Sequence, residues 1–93
     1  MVIGILKLSL FIGNSNSLKS KRMVLHSYKS RLRNNFNLAV AQVDDEDKWQ
    51  KATLVIVGVE KNRQAMDRTL SHTLNFTESF NGMEIIDHET ELI

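Results

Sequence analysis

Apolar and polar residues alternate with a period of two at the start of the chain, between positions 2 and 12. One face of this segment carries successive leucines, and the opposite face is also apolar apart from Lys7 and Ser9. This alternation predicts a β-strand. Because both faces are largely apolar, we expect the strand to lie at the centre of a sheet and to be covered on both sides.

From Ser17 to Phe36 the period changes to that of an α-helix. The apolar residues of this segment share one face of a helical net: Leu18, Val24, Leu25, Tyr28, Leu32 and Phe36. A stripe of this width predicts a helix that packs on a core. Either Ser17 or Asn16 can cap its first turn, and the asparagines that follow Arg33 mark its end.

The rest of the chain repeats these two periods. A short strand is expected over residues 38–43, a third strand over 52–59, a helix from about residue 62 and a fourth strand over 83–91. Trp49 is expected to open the third strand as a packing anchor. The order strand, helix, strand, strand, helix, strand predicts a single α+β domain over residues 1–93. This is the ferredoxin-like arrangement, a four-stranded antiparallel sheet with both helices on one face.

Charge is distributed unevenly between the two halves of the chain. The first 43 residues carry seven lysines and arginines and no acid, whereas the remaining residues hold all eleven acids and five bases. Such asymmetry indicates an anionic partner for the basic half. The alternative, which the sequence leaves open, is that the fold brings the acids back beside the bases.

Basic residues form a second stripe on the first helix, beside the apolar one. The candidate nucleic-acid-binding residues are Lys19, Lys21, Arg22, His26, Lys29 and Arg33. Lysines in a first helical turn oppose the helix dipole, and a departure from a local rule is typical of a functional site. With the loop amides after Gly13 they would form an anion site. The helical angle of Lys21, however, points toward the apolar face. The competing interpretation of the whole stripe is a solvated helix flank.

Signs of catalysis or of a metal site are absent from the sequence. There is no cysteine, and the three histidines share no ligand spacing. The acidic run 44–47 lacks the glycine of a calcium loop and is expected to be a solvated connection. The loop from Gly13 to Ser17 lacks the arginine of acylphosphatase-type enzymes. We therefore predict a non-enzymatic protein with no catalytic residue, no metal ligand and no cofactor.

The face of the sheet away from the helices is expected to mediate self-association. Ile3, Ile5 and Phe11 lie on that side of the first strand, and this short chain has nothing further to cover them. A homodimer that packs sheet against sheet would bury them. Base stacking on this face is not expected, because the central strands lack the aromatic residues of RNA-binding domains. The apolar start of the chain is too short to span a membrane and has no signal-peptide pattern, which predicts a cytoplasmic protein.

Two short motifs carry a resemblance to a known family. The run Ser-Leu-Lys-Ser-Lys-Arg at 17–22, together with Asp-Lys-Trp-Gln-Lys-Ala at 47–52, resembles the YlxP-like family of small bacterial proteins of unknown function. The resemblance implies a ferredoxin-like fold and a bacterial cytoplasmic setting. Family members are often encoded beside factors for translation initiation and ribosome maturation, which implies structured RNA or the ribosome as a partner. The resemblance implies no activity.

Two functions are therefore predicted, from different classes. The first is an RNA- or ribosome-associated binding module that holds phosphates with its basic first helix. The alternative is an oligomeric interaction domain or a small-ligand regulatory domain, as other ferredoxin-like modules are.

Overall fold

The computed structural model describes residues 1–13 and 15–93. Its elements follow in the predicted order: β1 (Val2–Phe11), α1 (Leu18–Asn35), β2 (Leu38–Asp44), β3 (Lys51–Glu60), α2 (Arg63–Ser79) and β4 (Glu84–Leu92). The strands form one antiparallel sheet in the order β2-β3-β1-β4, so that β1 and β3 are central. The predicted ferredoxin-like α+β fold is confirmed.

The core lies between the sheet and the two helices. In β1 the leucines at positions 6, 8 and 10 are fully buried, and Leu54 and Ile56 of β3 pair with two of them across the central strands. Each buried aliphatic side chain contributes about 1.5–3 kcal/mol of transfer free energy. The alternation seen in the sequence therefore reflects one helix-covered face of the sheet.

Helix α1 is fixed to this core by its cap and by one aromatic residue. The Ser17 hydroxyl accepts a hydrogen bond from the amide of Ser20 at 3.1 Å, which satisfies one of the free N–H groups of the first turn. Tyr28 is fully buried, and its hydroxyl lies 2.7 Å from the Thr77 hydroxyl of α2. The two helices are thereby joined side by side. The exposed surface of α1 is left facing away from the sheet.

The connection between β2 and β3 differs from the expectation. Strand β3 begins at Lys51, and Trp49 lies outside it with 57% of its side chain exposed, so its expected role as a packing anchor is wrong. The acidic run is not uniformly solvated either. Asp45 is buried and adopts a left-handed backbone conformation with φ of 63°. The chain turns sharply at Asp45 and points its carboxylate inward.

Candidate nucleic-acid interface

Lys21 does not lie on the exposed basic stripe. Only 1% of its side chain is exposed, and its ammonium points into the connection between β2 and β3. There its three N–H groups are shared among four main-chain carbonyls within hydrogen-bond distance: those of Asp45 (2.7 Å), Glu46 (3.3 Å), Lys51 (3.1 Å) and Lys48. We call this arrangement the carbonyl cage. Its ammonium has no surface left for a phosphate, so the assignment of Lys21 to nucleic-acid binding is corrected.

The carboxylate of Asp45 completes the carbonyl cage. It accepts a hydrogen bond from the Thr53 hydroxyl at 2.7 Å and pairs with Lys48 at 3.1 Å and Lys51 at 3.9 Å. The Thr53 hydroxyl, and after it the Lys48 ammonium, hold the pKa of Asp45 below its usual value. Asp45 in turn raises the pKa of Lys48. This acid is therefore ionised at neutral pH and compensates the positive charge beside it.

Burial and neighbouring charge act in opposite directions on Lys21. Removal from water lowers the pKa of its ammonium, whereas the carboxylates of Asp45 and Asp47 favour the charged form. The four carbonyl oxygens replace the water that the ammonium loses. The cage thus binds the first turn of α1 to a connection that lies 24–30 residues later in the chain.

Four of the other predicted residues come together in one groove. Arg22, His26, Lys29 and Arg33 line it along α1, and Leu25 and Gln42 complete its wall, with Gln42 contributed by β2. The groove has a volume of about 350 Å³. We call it the basic groove. The Arg33 guanidinium also reaches the carbonyl of Val40 in β2 at 3.4 Å, which places the end of the basic groove against the edge of the sheet.

The acids do not return to the basic groove. Within residues 1–13 and 15–93, the ion pairs shorter than 4.0 Å join Asp45 to Lys48 and Lys51, and neither involves a cation of the groove. Four of the acids lie on β4, which forms the edge of the sheet opposite β2: Glu84, Asp87, Glu89 and Glu91. Folding therefore brings acids beside Lys21, Lys48 and Lys51 at the carbonyl cage. Among the described residues, it brings no acid into an ion pair with the cations of the basic groove.

Lys19 lies apart from the basic groove. It is exposed in the first turn of α1, a turn that contains no acid. The anion site expected from the loop after Gly13 depends partly on Asn14, which lies outside the described residues. On the other flank of α1, the Arg31 guanidinium stacks 5.6 Å from the centre of the Phe80 ring. Arg31 is thus engaged with an aromatic partner, which distinguishes it from the cations of the groove.

Gln42 was not predicted from the sequence. It stands on β2 on the side of the sheet that faces α1, where its strand neighbours Leu38 and Val40 are apolar. Its polar character at a core-facing position was the only signal that could have singled it out.

No cluster of three or more histidine, aspartate or glutamate side chains that could hold a metal occurs in the part of the chain that the structure describes.

The chain is similar to known proteins over nearly its whole length. The model of a family described as "Protein of unknown function (DUF503)" matches residues 3–90. The chain belongs to this family. It is also 31% identical over 90 residues to the uncharacterized protein YlxP of Bacillus subtilis (strain 168), and the match covers 97% of this chain and 98% of that protein. The resemblance inferred from the two short motifs is confirmed.

The two motifs of this DUF503 member meet in space. The first supplies the Ser17 cap, the buried Lys21 and the exposed Arg22, and the second supplies two of the four carbonyls that Lys21 contacts, those of Lys48 and Lys51. The motifs therefore form part of the carbonyl cage, and of their residues Arg22 alone lines the basic groove. Among the described helices, none has the length and apolar character required to cross a membrane.

Proposed function

We propose that this chain is a non-enzymatic binding module that holds phosphates of structured RNA, free or within the ribosome, in the basic groove. The observation that supports this most directly is the set of side chains that line the groove, the three cations Arg22, Lys29 and Arg33 together with His26. They line one groove, and no carboxylate among the described residues pairs with them. Unpaired cations at one site attract a polyanion, because phosphate contacts release the counterions that surround nucleic acid.

The dimensions of the basic groove suit a phosphodiester strand. From Arg22 to Arg33 the helix rises by about 16 Å. A stacked strand advances about 3.4 Å per nucleotide, so this length matches about four to five nucleotides. Arg22 and Arg33 can contact a phosphate through two parallel hydrogen bonds, and Lys29 contributes a point charge between them. Lys19 lies beyond the groove and extends the positive surface toward the start of α1.

The experiment is a fluorescence-anisotropy titration with a structured RNA at several salt concentrations. Each phosphate contact adds about 0.7–0.9 to the slope of log affinity against log salt concentration. Replacing Arg22 and Lys29 together by alanine should weaken binding and lower that slope by about 1.5. The loss should be similar for RNAs of different sequence, since phosphate contacts position a nucleic acid without reading its bases.

A matched control variant removes two basic residues of the protein that lie outside the basic groove. Lys61→Ala combined with Arg68→Ala lowers the net charge equally, at exposed positions outside the groove. This control should bind RNA nearly as well as the unmodified chain. If both double variants lose affinity equally, the protein attracts RNA only through its overall charge. Absence of binding at low salt rejects the proposal altogether.

A second candidate function, self-association, is favoured by the open face of the sheet. Ile3 and Ile5 are half-buried there, and Phe11 and Val59 remain 39% and 57% exposed. Beside them β2 and β3 form a shallow groove on the open face, lined by the apolar side chains of Ala39, Ala41, Val43, Val55 and Val57. Lys7 lies in the same face, and the register places Glu89 of β4 directly beside it. The charge of Lys7 therefore has a carboxylate on the neighbouring strand.

We propose that two copies pack these faces together. Sedimentation equilibrium at micromolar concentration should then give the mass of a dimer, and Ile5→Glu should give a monomer. Met23→Glu is the control, since Met23 is an exposed apolar residue on α1 and lies away from the sheet. A monomeric mass for the unmodified chain contradicts this proposal and leaves the basic groove unaffected.

A further inference from the structure

Gln42 carries a buried hydrogen-bond donor that has no partner among the described residues. Among the described residues, the side-chain nitrogen Nε2 of Gln42 is the one buried side-chain polar atom without a hydrogen bond. Leaving a buried donor unpaired destabilises a fold, and most such groups in native proteins find a partner. An exception of this kind calls for a partner from outside the chain.

The surroundings of Gln42 indicate the chemistry of that partner. Gln42 lines the basic groove together with Arg22, His26, Lys29 and Arg33. Guanidinium, ammonium and amide nitrogen groups all donate hydrogen bonds. A wall of donors with excess positive charge is complementary to an acceptor that carries negative charge. Phosphate oxygens meet both requirements.

We propose that the Gln42 amide donates a hydrogen bond to a phosphate oxygen bound in the basic groove. The groove is then a discrete phosphate site, with β2 supplying a neutral donor opposite the cations of α1. Since Nε2 is buried, the oxygen reaches it after neighbouring side chains rotate. Exposed long side chains such as Arg33 do so within nanoseconds. This inference rests on the proposed function, because it names a residue of that same groove.

The decisive variant is Gln42→Leu, which removes the unpaired donor and keeps a side chain of similar size. If Gln42 serves a phosphate, affinity for the structured RNA falls about tenfold, which corresponds to about 1.4 kcal/mol. The melting temperature stays unchanged or rises, because the free protein loses an unsatisfied buried group. The variant thus loses affinity for RNA without losing stability. Gln64→Leu, at an exposed position of α2, is the matched control and should alter neither.

A second measurement observes the site directly. The side-chain amide signals of Gln42 in a ¹H–¹⁵N NMR spectrum should shift on addition of the RNA. They should also shift with inorganic phosphate, and they should not respond to chloride at the same ionic strength. A shift with RNA alone indicates a site that requires the RNA backbone, whereas a shift with both RNA and inorganic phosphate indicates a site that accepts free phosphate.

The outcomes distinguish this inference from the proposed function. If the unmodified chain binds RNA, and Gln42→Leu binds it equally well with no shift of the amide signals, the role of Gln42 is wrong and the basic groove remains. If RNA does not bind but phosphate shifts the Gln42 signals, the phosphate site is real and the RNA function is wrong. Absence of RNA binding and of any phosphate shift rejects both.

Discussion

Lys21 and Arg22 are neighbours in the sequence, and the structure gives them opposite surroundings. The Lys21 ammonium is buried in the carbonyl cage, where its three N–H groups contact four main-chain carbonyls. Arg22 is exposed and lines the basic groove, where no acid among the described residues pairs with it. Main-chain carbonyls of the protein itself contact the Lys21 ammonium, whereas no acid of residues 1–13 and 15–93 pairs with the Arg22 guanidinium.

This difference separates the contribution of a charge to stability from its availability to a ligand. A cation in the carbonyl cage holds two distant segments together, and its removal leaves carbonyl oxygens without a donor. A cation in the basic groove contributes little to folding, because exposed charges are worth at most about 1 kcal/mol. It therefore remains free to contact a phosphate. We expect substitutions in the two regions to affect different measurements.

The largest effect is expected in the carbonyl cage. Lys21→Met keeps the length of the side chain and removes the ammonium, which leaves four main-chain carbonyls without their donor. Leaving a buried hydrogen-bonding group without its partner typically costs about 1–3 kcal/mol. The free energy of unfolding, measured by urea denaturation at pH 7, should fall by about 3 kcal/mol, because several carbonyls lose their donor together. The affinity of the remaining folded protein for RNA should be nearly unchanged.

Two variants of neighbouring cations on α1, Lys19→Met and Arg22→Met, provide the control. Lys19→Met removes a cation from the first turn of α1, where it opposes the helix dipole, and should raise the free energy of unfolding by a few tenths of a kcal/mol. Arg22→Met should leave stability within about 0.5 kcal/mol and weaken RNA binding. If Lys21→Met unfolds no more easily than these two variants, the carbonyl cage does not stabilise the fold.

The sequence was sufficient to predict the fold because its elements follow from local periodicity. The leucines of β1 and the apolar stripe of α1 each repeat with the period of one element. The strand order then follows from the sequence of elements. The helical angle of Lys21 also indicated that its side chain points toward the core. Its acceptors could not be predicted, since they lie 24–30 residues away in a connection without periodicity.

The same limit explains the errors around the acidic run. Composition predicts that four successive acids are solvated, and this is the common outcome for such a run. Burial of Asp45 depends on the left-handed turn at that residue and on the position of the Thr53 hydroxyl across the hairpin. Gln42 likewise becomes part of the basic groove only when β2 packs beside α1. Both are long-range consequences of the fold.

A smaller effect, confined to the carbonyl cage, is expected on acidification. The folded pKa of Asp45 lies below its ordinary value of 3.8. The stability that this acid contributes is therefore complete above pH 3.8 and is lost as the pH falls through the lower, folded pKa. Thr53→Val removes the hydrogen bond that contributes most to this shift. The variant should be less stable than the unmodified chain at pH 7, and the difference should shrink toward pH 2.

Urea denaturation at several pH values between 7 and 2 measures this difference directly. The other acids titrate in both proteins, so their contribution cancels when the two curves are subtracted. Thr90→Val, at an exposed position of β4, is the matched control, and its curve should run parallel to that of the unmodified chain. The RNA affinity of Thr53→Val at pH 7 should be unaltered, because the basic groove lies outside the carbonyl cage. A Thr53→Val curve parallel to that of the unmodified chain would show that Asp45 is not coupled to folding through Thr53.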